Sequence, residues 1–176
     1  EGKQIIFSLL DIPKPVIAKV RGNCVGLGCT IALFCDMVIA ADTARFSDPH
    51  VRVGLVAGDG GAVIWPHLVG HARAKEFLLT GDAIAATDAA RMGLINHAVP
   101  EGELDASTDA FAAKLLAGAQ LAIRATKISV NLELKRQTLA ALDASIAYEM
   151  TTFASHDHRE AVQAFLEKRK PKFTGR

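Results

Sequence analysis

Cysteine, a surplus of one charge and long apolar runs are all missing or scarce in this 176-residue chain, and each scarcity removes a class of protein. The only cysteines are Cys24, Cys29 and Cys35. They are odd in number, lie among apolar neighbours and have no second pair to complete a metal knuckle, so they read as buried reduced thiols. The net charge of +1 and pI near 8.0 give too weak a field to argue for nucleic acid or membrane partners. No apolar run is long enough for a membrane span, and Glu1-Gly2-Lys3-Gln4 lacks a secretory pattern. There is no internal repeat or low-complexity tract. The expectation is a soluble, cytoplasmic protein whose specificity resides in a site. What is plentiful is apolar side chain: 50% hydrophobic residues and a mean hydropathy of +0.22 suffice for a substantial core, although the chain is small for an α/β enzyme.

Val16-Ile17-Ala18-Lys19-Val20, following Pro13 and Pro15, is rich in β-branched residues and marks a strand; Met37-Val38-Ile39-Ala40-Ala41 marks a second. The sixteen residues between them leave room for a turn and a short crossover helix, so a buried, parallel βαβ unit is expected. Ala44-Arg45-Phe46-Ser47 and Val51-Arg52-Val53 read as weaker extended pieces around Asp48-Pro49. The loop that follows holds Gly54, Gly58, Gly60 and Gly61, a density that marks a tight functional loop. A helix is expected over Ala72–Leu79, a second over Asp88–Met92 capped by Thr87 and ended by Gly93, and a last strand over Leu94–Val99. From Glu103 through Arg169 the pattern is helical, with Leu139, Leu142, Ile146 and Met150 forming one apolar stripe suited to core or a subunit interface. The fold class is therefore α/β over residues 1–102, followed by an all-helical region over 103–176.

The strongest chemical signal is Gly22-Asn23-Cys24-Val25-Gly26-Leu27-Gly28-Cys29-Thr30. Gly26 and Gly28 permit unusual backbone angles and close approach of another molecule. A helix-compatible stretch, Cys29–Cys35, follows, so the N–H groups around Leu27 and Gly28 become unpaired donors at a helix start, an anion-stabilising turn. A dinucleotide site is a poor alternative, because Ile31 replaces the third glycine and the crossover helix is short. Trp65, before Pro66-His67, reads as a packed indole. His156-Asp157-His158 reads as solvated, since neighbours on a helix start do not converge on a metal, and no metal site is expected. Lys168, Arg169 and Lys170 suit the negative end of a helix dipole.

Three segments in one order resemble the enoyl-CoA hydratase/isomerase, or crotonase, superfamily. They are Lys14-Pro15-Val16-Ile17-Ala18 leading through Gly22 to Gly26-Leu27-Gly28-Cys29, Ala32 and Cys35-Asp36; Leu79-Thr80-Gly81-Asp82 with Ala89-Ala90 and Gly93-Leu94-Ile95; and Phe165-Leu166-Glu167-Lys168-Arg169. The resemblance covers essentially the whole chain. It implies the C-terminal part of a crotonase-like ββα spiral over 1–102, a helical trimerisation region over 103–176, and a homotrimer or dimer of trimers. It also implies an acyl-CoA substrate, with CoA as part of that substrate and no separate cofactor.

The family's chemistry rests on an oxyanion hole, in which two backbone N–H groups hold the thioester oxygen as it becomes an enolate, each contributing about 3 to 4 kcal/mol. Leu27 matches one donor, and Gly26, Gly28 and Gly58 match substrate-binding positions. The second donor belongs to an upstream Ala-rich loop before a Gly-x-Asp-Leu segment. Nothing before Glu1 carries it, so the chain is expected to be the C-terminal portion of a longer protein and a poor catalyst alone. Phe165 and Lys168 match residues that meet the adenine and phosphates of CoA, often across a subunit boundary.

The two glutamates of the hydratases fall at Thr30 and His50, so both carboxylates are replaced. His50 becomes the natural base. Asp59, nine residues on, is expected to fold back, fix the tautomer of the ring and stabilise its imidazolium, similar to the His and Asp of the superfamily's β-diketone hydrolases. The Thr30 hydroxyl is expected to cap the helix or to contact substrate. Three functions stay open: an acyl-CoA enzyme working through an enolate and named enoyl-CoA hydratase by resemblance; a His50/Asp59 hydrolase of a β-dicarbonyl or CoA thioester; and a noncatalytic CoA-binding or oligomerisation module.

Overall fold

The computed structural model describes residues 2–176. After α1 (Gly2–Asp11), the chain makes one ββα turn from β1 (Ile17–Val20), β2 (Asn23–Val25) and α2 (Leu27–Phe34). A second consists of β3 (Met37–Ala41), β4 (Arg45–Ser47), a 3-10 turn (His50–Val53) and α3 (Gly61–Thr80). Then come β5 (Ile84–Ala85), α4 (Ala86–Met92) and β6 (His97–Val99). The first strand of each turn joins a parallel sheet of order β1-β3-β6. The second joins a sheet of order β2-β4-β5, in which β2 and β4 are parallel and β5 is antiparallel. Phe46, Ile39, Ile64, Trp65 and Leu94 are fully buried, and the Trp65 ring tilts against Phe77 at 5.8 Å, so the indole is core.

Several expectations change. The simple βαβ unit gains a strand, because Asn23–Val25, read as part of the glycine turn, pairs with β4 in the second sheet. Val51–Val53 is a helical turn, not an extended piece. Pro49 leads into it, and Gly54, at φ 71°, closes it by donating its N–H to the carbonyls of His50 and Val51. α3 begins at Gly61, well before Ala72: Gly60 and Gly61 are the start of a helix, and its break is Gly70 at φ 78°. Thr87 lies inside α4, which starts at Ala86 with no side-chain cap. The last strand is only His97–Val99, since Leu94 and Ile95 are buried in the turn before it.

The C-terminal helices are α5 (Leu104–Leu116), α6 (Gln120–Phe153) and α7 (His156–Leu166). α6 is about 51 Å long at 1.5 Å per residue and buries only a narrow face, through Lys127, Asn131, Thr138 and Leu142. Of the apolar stripe, Leu142 is fully buried, whereas Leu139 and Met150 are 56% and 61% exposed. A nearly buried ion pair pins α6 to the strands: Lys127 Nζ donates to Asp36 Oδ2 at 2.7 Å and to the Lys14 carbonyl at 2.9 Å. Among the described residues no helix is long and apolar enough to cross a membrane.

Candidate active site

Register builds the site. Val25 pairs with Ser47, and Gly26 N–H donates to the Ser47 carbonyl at 3.0 Å, so the segments leaving β2 and β4 emerge side by side at the carboxyl ends of parallel strands. The chain leaving β2 turns at Gly26, with φ 56° and ψ −129°, directly into α2. That left-handed φ favours glycine. Leu27 and Gly28 are the first residues of the helix, so their N–H groups have no intrahelical acceptor, and both residues are exposed. The chain leaving β4 runs through Asp48-Pro49 to His50. A Cβ built on Gly26 would lie 3.8 Å from His50 Cε1, which puts the imidazole beside the donor turn.

Around His50 stand three carboxylates. Nδ1 is bonded to Oδ1 of the fully buried Asp48. Nε2 faces Asp59 Oδ2 at 3.7 Å and Glu149 Oε1 at 4.0 Å. Asp59 is held by its other oxygen, Oδ1, which accepts from the Thr30 hydroxyl at 3.1 Å and from Gly61 N–H at 3.3 Å. Two glycines make this convergence possible. A Cβ on Gly61 would fall 2.0 Å from Asp48 Oδ2, and one on Gly58 would fall 2.5 Å from both Glu149 Cβ and the Ser145 carbonyl.

Crowding shows in the proton affinities. Burial is the largest influence on His50 and pushes its pKa down, but the hydrogen bond and charge of Asp48, aided by Asp59 and Glu149, outweigh it and leave the ring above its usual 6.5. Burial raises the Asp59 carboxyl, and the opposing pull of His50 does not cancel it. Glu149 is raised by burial and then by the negative charge of Asp59.

The structure thus brings together Leu27, Gly26, Gly28, Thr30, His50 and Asp59, with roles that differ from expectation at three positions. The partner that fixes the His50 tautomer is Asp48, and Asp59 faces the opposite ring nitrogen. Thr30 is four residues into the helix, past the capping position, and its hydroxyl orients Asp59 instead. Gly58 is buried beneath α6, so its lack of a side chain admits the helix, where substrate binding was expected. Phe165 and Lys168 lie apart from the cluster. Phe165 is 82% exposed on the last turn of α7, about 14 Å along the axis from the end of that helix that meets the His50 turn. Lys168, at φ 55°, occupies the left-handed position that closes the helix. His156-Asp157-His158 is more engaged than a solvated run: His158 Nδ1 donates to the Val53 carbonyl at 2.7 Å, and Asp157 accepts from the N–H groups of Thr174 and Gly175.

Sequence reasoning missed two site residues. Asp48 had a signal, in that it precedes His50 by two across a proline. Glu149 had none, being ninety-nine residues further on in a helix that reads as an interface. One ligand atom each from Asp48, His50 and Asp59 lie within 4.8 Å of one another, close enough for a divalent cation. Asp48 Oδ1 and His50 Nδ1 are instead bonded to each other, which favours an acid/base site over a metal centre.

Residues 2–176 match the family model for enoyl-CoA hydratase/isomerase, and the chain belongs to that family. Similar proteins include a crotonyl-CoA hydratase of Syntrophomonas wolfei, 39% identical over 97% of this chain and 66% of that protein. A probable enoyl-CoA hydratase of Rhodobacter capsulatus is 40% identical over the whole of this chain and 68% of its own. The chain thus spans about two thirds of the length of these relatives. A crystal structure of an enoyl-CoA hydratase from Mycobacterium avium subsp. paratuberculosis matches with a TM-score of 0.94 at 30% identity, covering 98% of this chain and 70% of that one. The crotonase-like fold is therefore shared, with the C-terminal helices in place.

Proposed function

We propose that the protein binds an acyl-CoA thioester, stabilises its enolate with the Leu27 N–H, and adds water at the His50 cluster, a hydratase-type reaction. The observation that carries this reading is the 3.8 Å between the Gly26 Cβ position and His50 Cε1, which sets proton-handling groups beside an oxyanion donor. Similarity to hydratases over nearly the whole chain supports the substrate class. CoA enters only as substrate, with Phe165 and Lys168 offered to its adenine and phosphates. The exposed Leu132, Leu139, Tyr148, Met150 and Phe153 on α6 fit a homotrimer or dimer of trimers. Three free cysteines fit a cytoplasmic setting.

The second reading, a hydrolase of a β-dicarbonyl or CoA thioester, draws on the Asp48–His50 pair, which resembles a base with its orienting carboxylate. A noncatalytic module has less support, because burying three carboxylates around one imidazole costs stability and serves no packing purpose. The full-length protein is assayed with crotonyl-CoA and, separately, with a β-ketoacyl-CoA and a cyclic diketone. Loss of enoyl absorbance is expected, slowed roughly 10²-fold or more in His50→Asn. Acid release from the dicarbonyls alone transfers the assignment to hydrolysis; CoA binding without turnover of any substrate leaves only the module.

A further inference from the structure

The hydrogen bonds around Asp59 and Glu149 are unequal, and the inequality has chemical content. Asp59 Oδ1 receives the Thr30 hydroxyl and the Gly61 N–H, both of which favour the ionised form. The Glu149 carboxyl, also largely buried, meets His50 Nε2 only at 4.0 Å and sits close to the charge of Asp59. Asp59 Oδ2 is buried and makes no hydrogen bond among the described residues. Separations of 3.7 and 4.0 Å from Nε2 are too long for direct hydrogen bonds. They suit a water about 2.8 Å from each atom, whose angle between Nε2 and either oxygen is then roughly 90°.

We propose that Asp59 and Glu149 are the acid/base pair of the site: they hold the reacting water with His50 Nε2, Asp59 as the base and Glu149, supplied by α6, as the acid. This rests on the acyl-CoA reading above. The Asp59 carboxylate takes a proton from the water as the water oxygen bonds to Cβ of the enoyl group. The C=C electrons pass to Cα and the thioester oxygen, and the protonated Glu149 gives its proton to Cα. One water is added across the double bond, and the proton on Asp59 returns to Glu149 through His50 or solvent. Two carboxyls that resist ionising together can share a single proton, and their unequal donors decide which holds it. Gly58 is the positioning residue, because any side chain there would push Glu149 away.

The test compares full-length wild type, Glu149→Gln, Glu149→Asp and Asp59→Asn in two measurements: carboxyl titration by 13C NMR, and crotonyl-CoA hydration against pH. Glu149→Gln keeps the shape of the side chain. It is expected to lower kcat about 10²- to 10⁴-fold with KM within threefold, and to remove the alkaline limb of the pH profile. Asp59→Asn removes the acid limb, and Glu149→Asp restores part of the lost rate. In the titration, each single variant shifts the remaining carboxyl toward its ordinary range. A Glu149→Gln enzyme with wild-type kcat and both limbs intact overturns the proposal, and so do carboxyls that titrate independently at ordinary values, whatever the activity. Coupled carboxyls in a protein that hydrates no enoyl-CoA support the pair and overturn the substrate reading instead.

Discussion

The His50 cluster and the C-terminal tail are both dense in charge, yet they treat their carboxylates oppositely. In the tail, Glu160 and Glu167 face Arg169, and the Glu160 carboxyl is held down at about 2 by its hydrogen bonds to Arg169 and to the Lys172 N–H. Arg169 and Glu167 are open to solvent while Glu160 is about as covered as Glu149, but both tail carboxylates bond directly to one permanently charged guanidinium. At His50, three carboxylates share one imidazole under protein cover, and Asp59 and Glu149 are pushed up. The same residue types therefore stay ionised where a guanidinium bonds them directly, and hold their protons more tightly at Asp59 and Glu149, where burial outweighs the pull of one imidazole.

The largest effect that would break this contrast is steric. Gly61→Ala places a methyl 2.0 Å from the buried Asp48 Oδ2, so it is expected to lower unfolding stability by about 1 to 3 kcal/mol in urea titration and to loosen Asp48 from His50. Unchanged stability would mean that the cluster is as pliable as the tail.

A smaller effect is pH dependence. The folded-state pKa of His50 lies above its usual 6.5, so its stabilising contribution is complete below 6.5 and is lost as pH rises through the folded value. Asp59 and Glu149 are raised above 3.8 and 4.5, so the folded state binds their protons more tightly than the unfolded chain, and stability is again lost as pH climbs from about those values. All three have the same sign. The contribution of the cluster should fall steadily from about pH 4 to beyond 6.5, and Glu149→Gln should flatten that slope in melts across pH. An equal slope in the variant would remove Glu149 from the cluster's electrostatics.

Smallest is the tail itself. Glu167→Gln is expected to shift Tm only slightly at low salt and not at all at high salt, because its ion pair with Arg169 is exposed and screened. A large, salt-resistant loss would erase the distinction between the two regions.

Much of the fold was legible because it depends on local pattern. The strands at Ile17–Val20 and Met37–Ala41 follow β-branched runs, and the ends of α3 and α4 follow Gly81 and Gly93, whose left-handed φ closes each helix. What failed was also local but ambiguous. Asn23–Val25 is too short and too close to glycine to announce a strand, and Gly60-Gly61 looks like loop until a helix is seen to start there. Of the site, the donor turn at Gly26-Leu27 and the proximity of His50 and Asp59 could be read from spacing and resemblance.

Sequence alone determined the family, the turn that frees the Leu27 N–H, and the presence of Thr30 and His50 close after it, because each is a matter of residue type over a short span. Only the tertiary structure decided what surrounds those two residues. Thr30 presents its hydroxyl to Asp59, His50 takes Asp48 on one nitrogen and faces Asp59 and Glu149 with the other, and the glutamate comes from a helix ninety-nine residues away. The physical reason is packing: Gly58 and Gly61 leave room for α6 and Asp48 to approach, and a contact between distant segments leaves no local mark in the residues that make it.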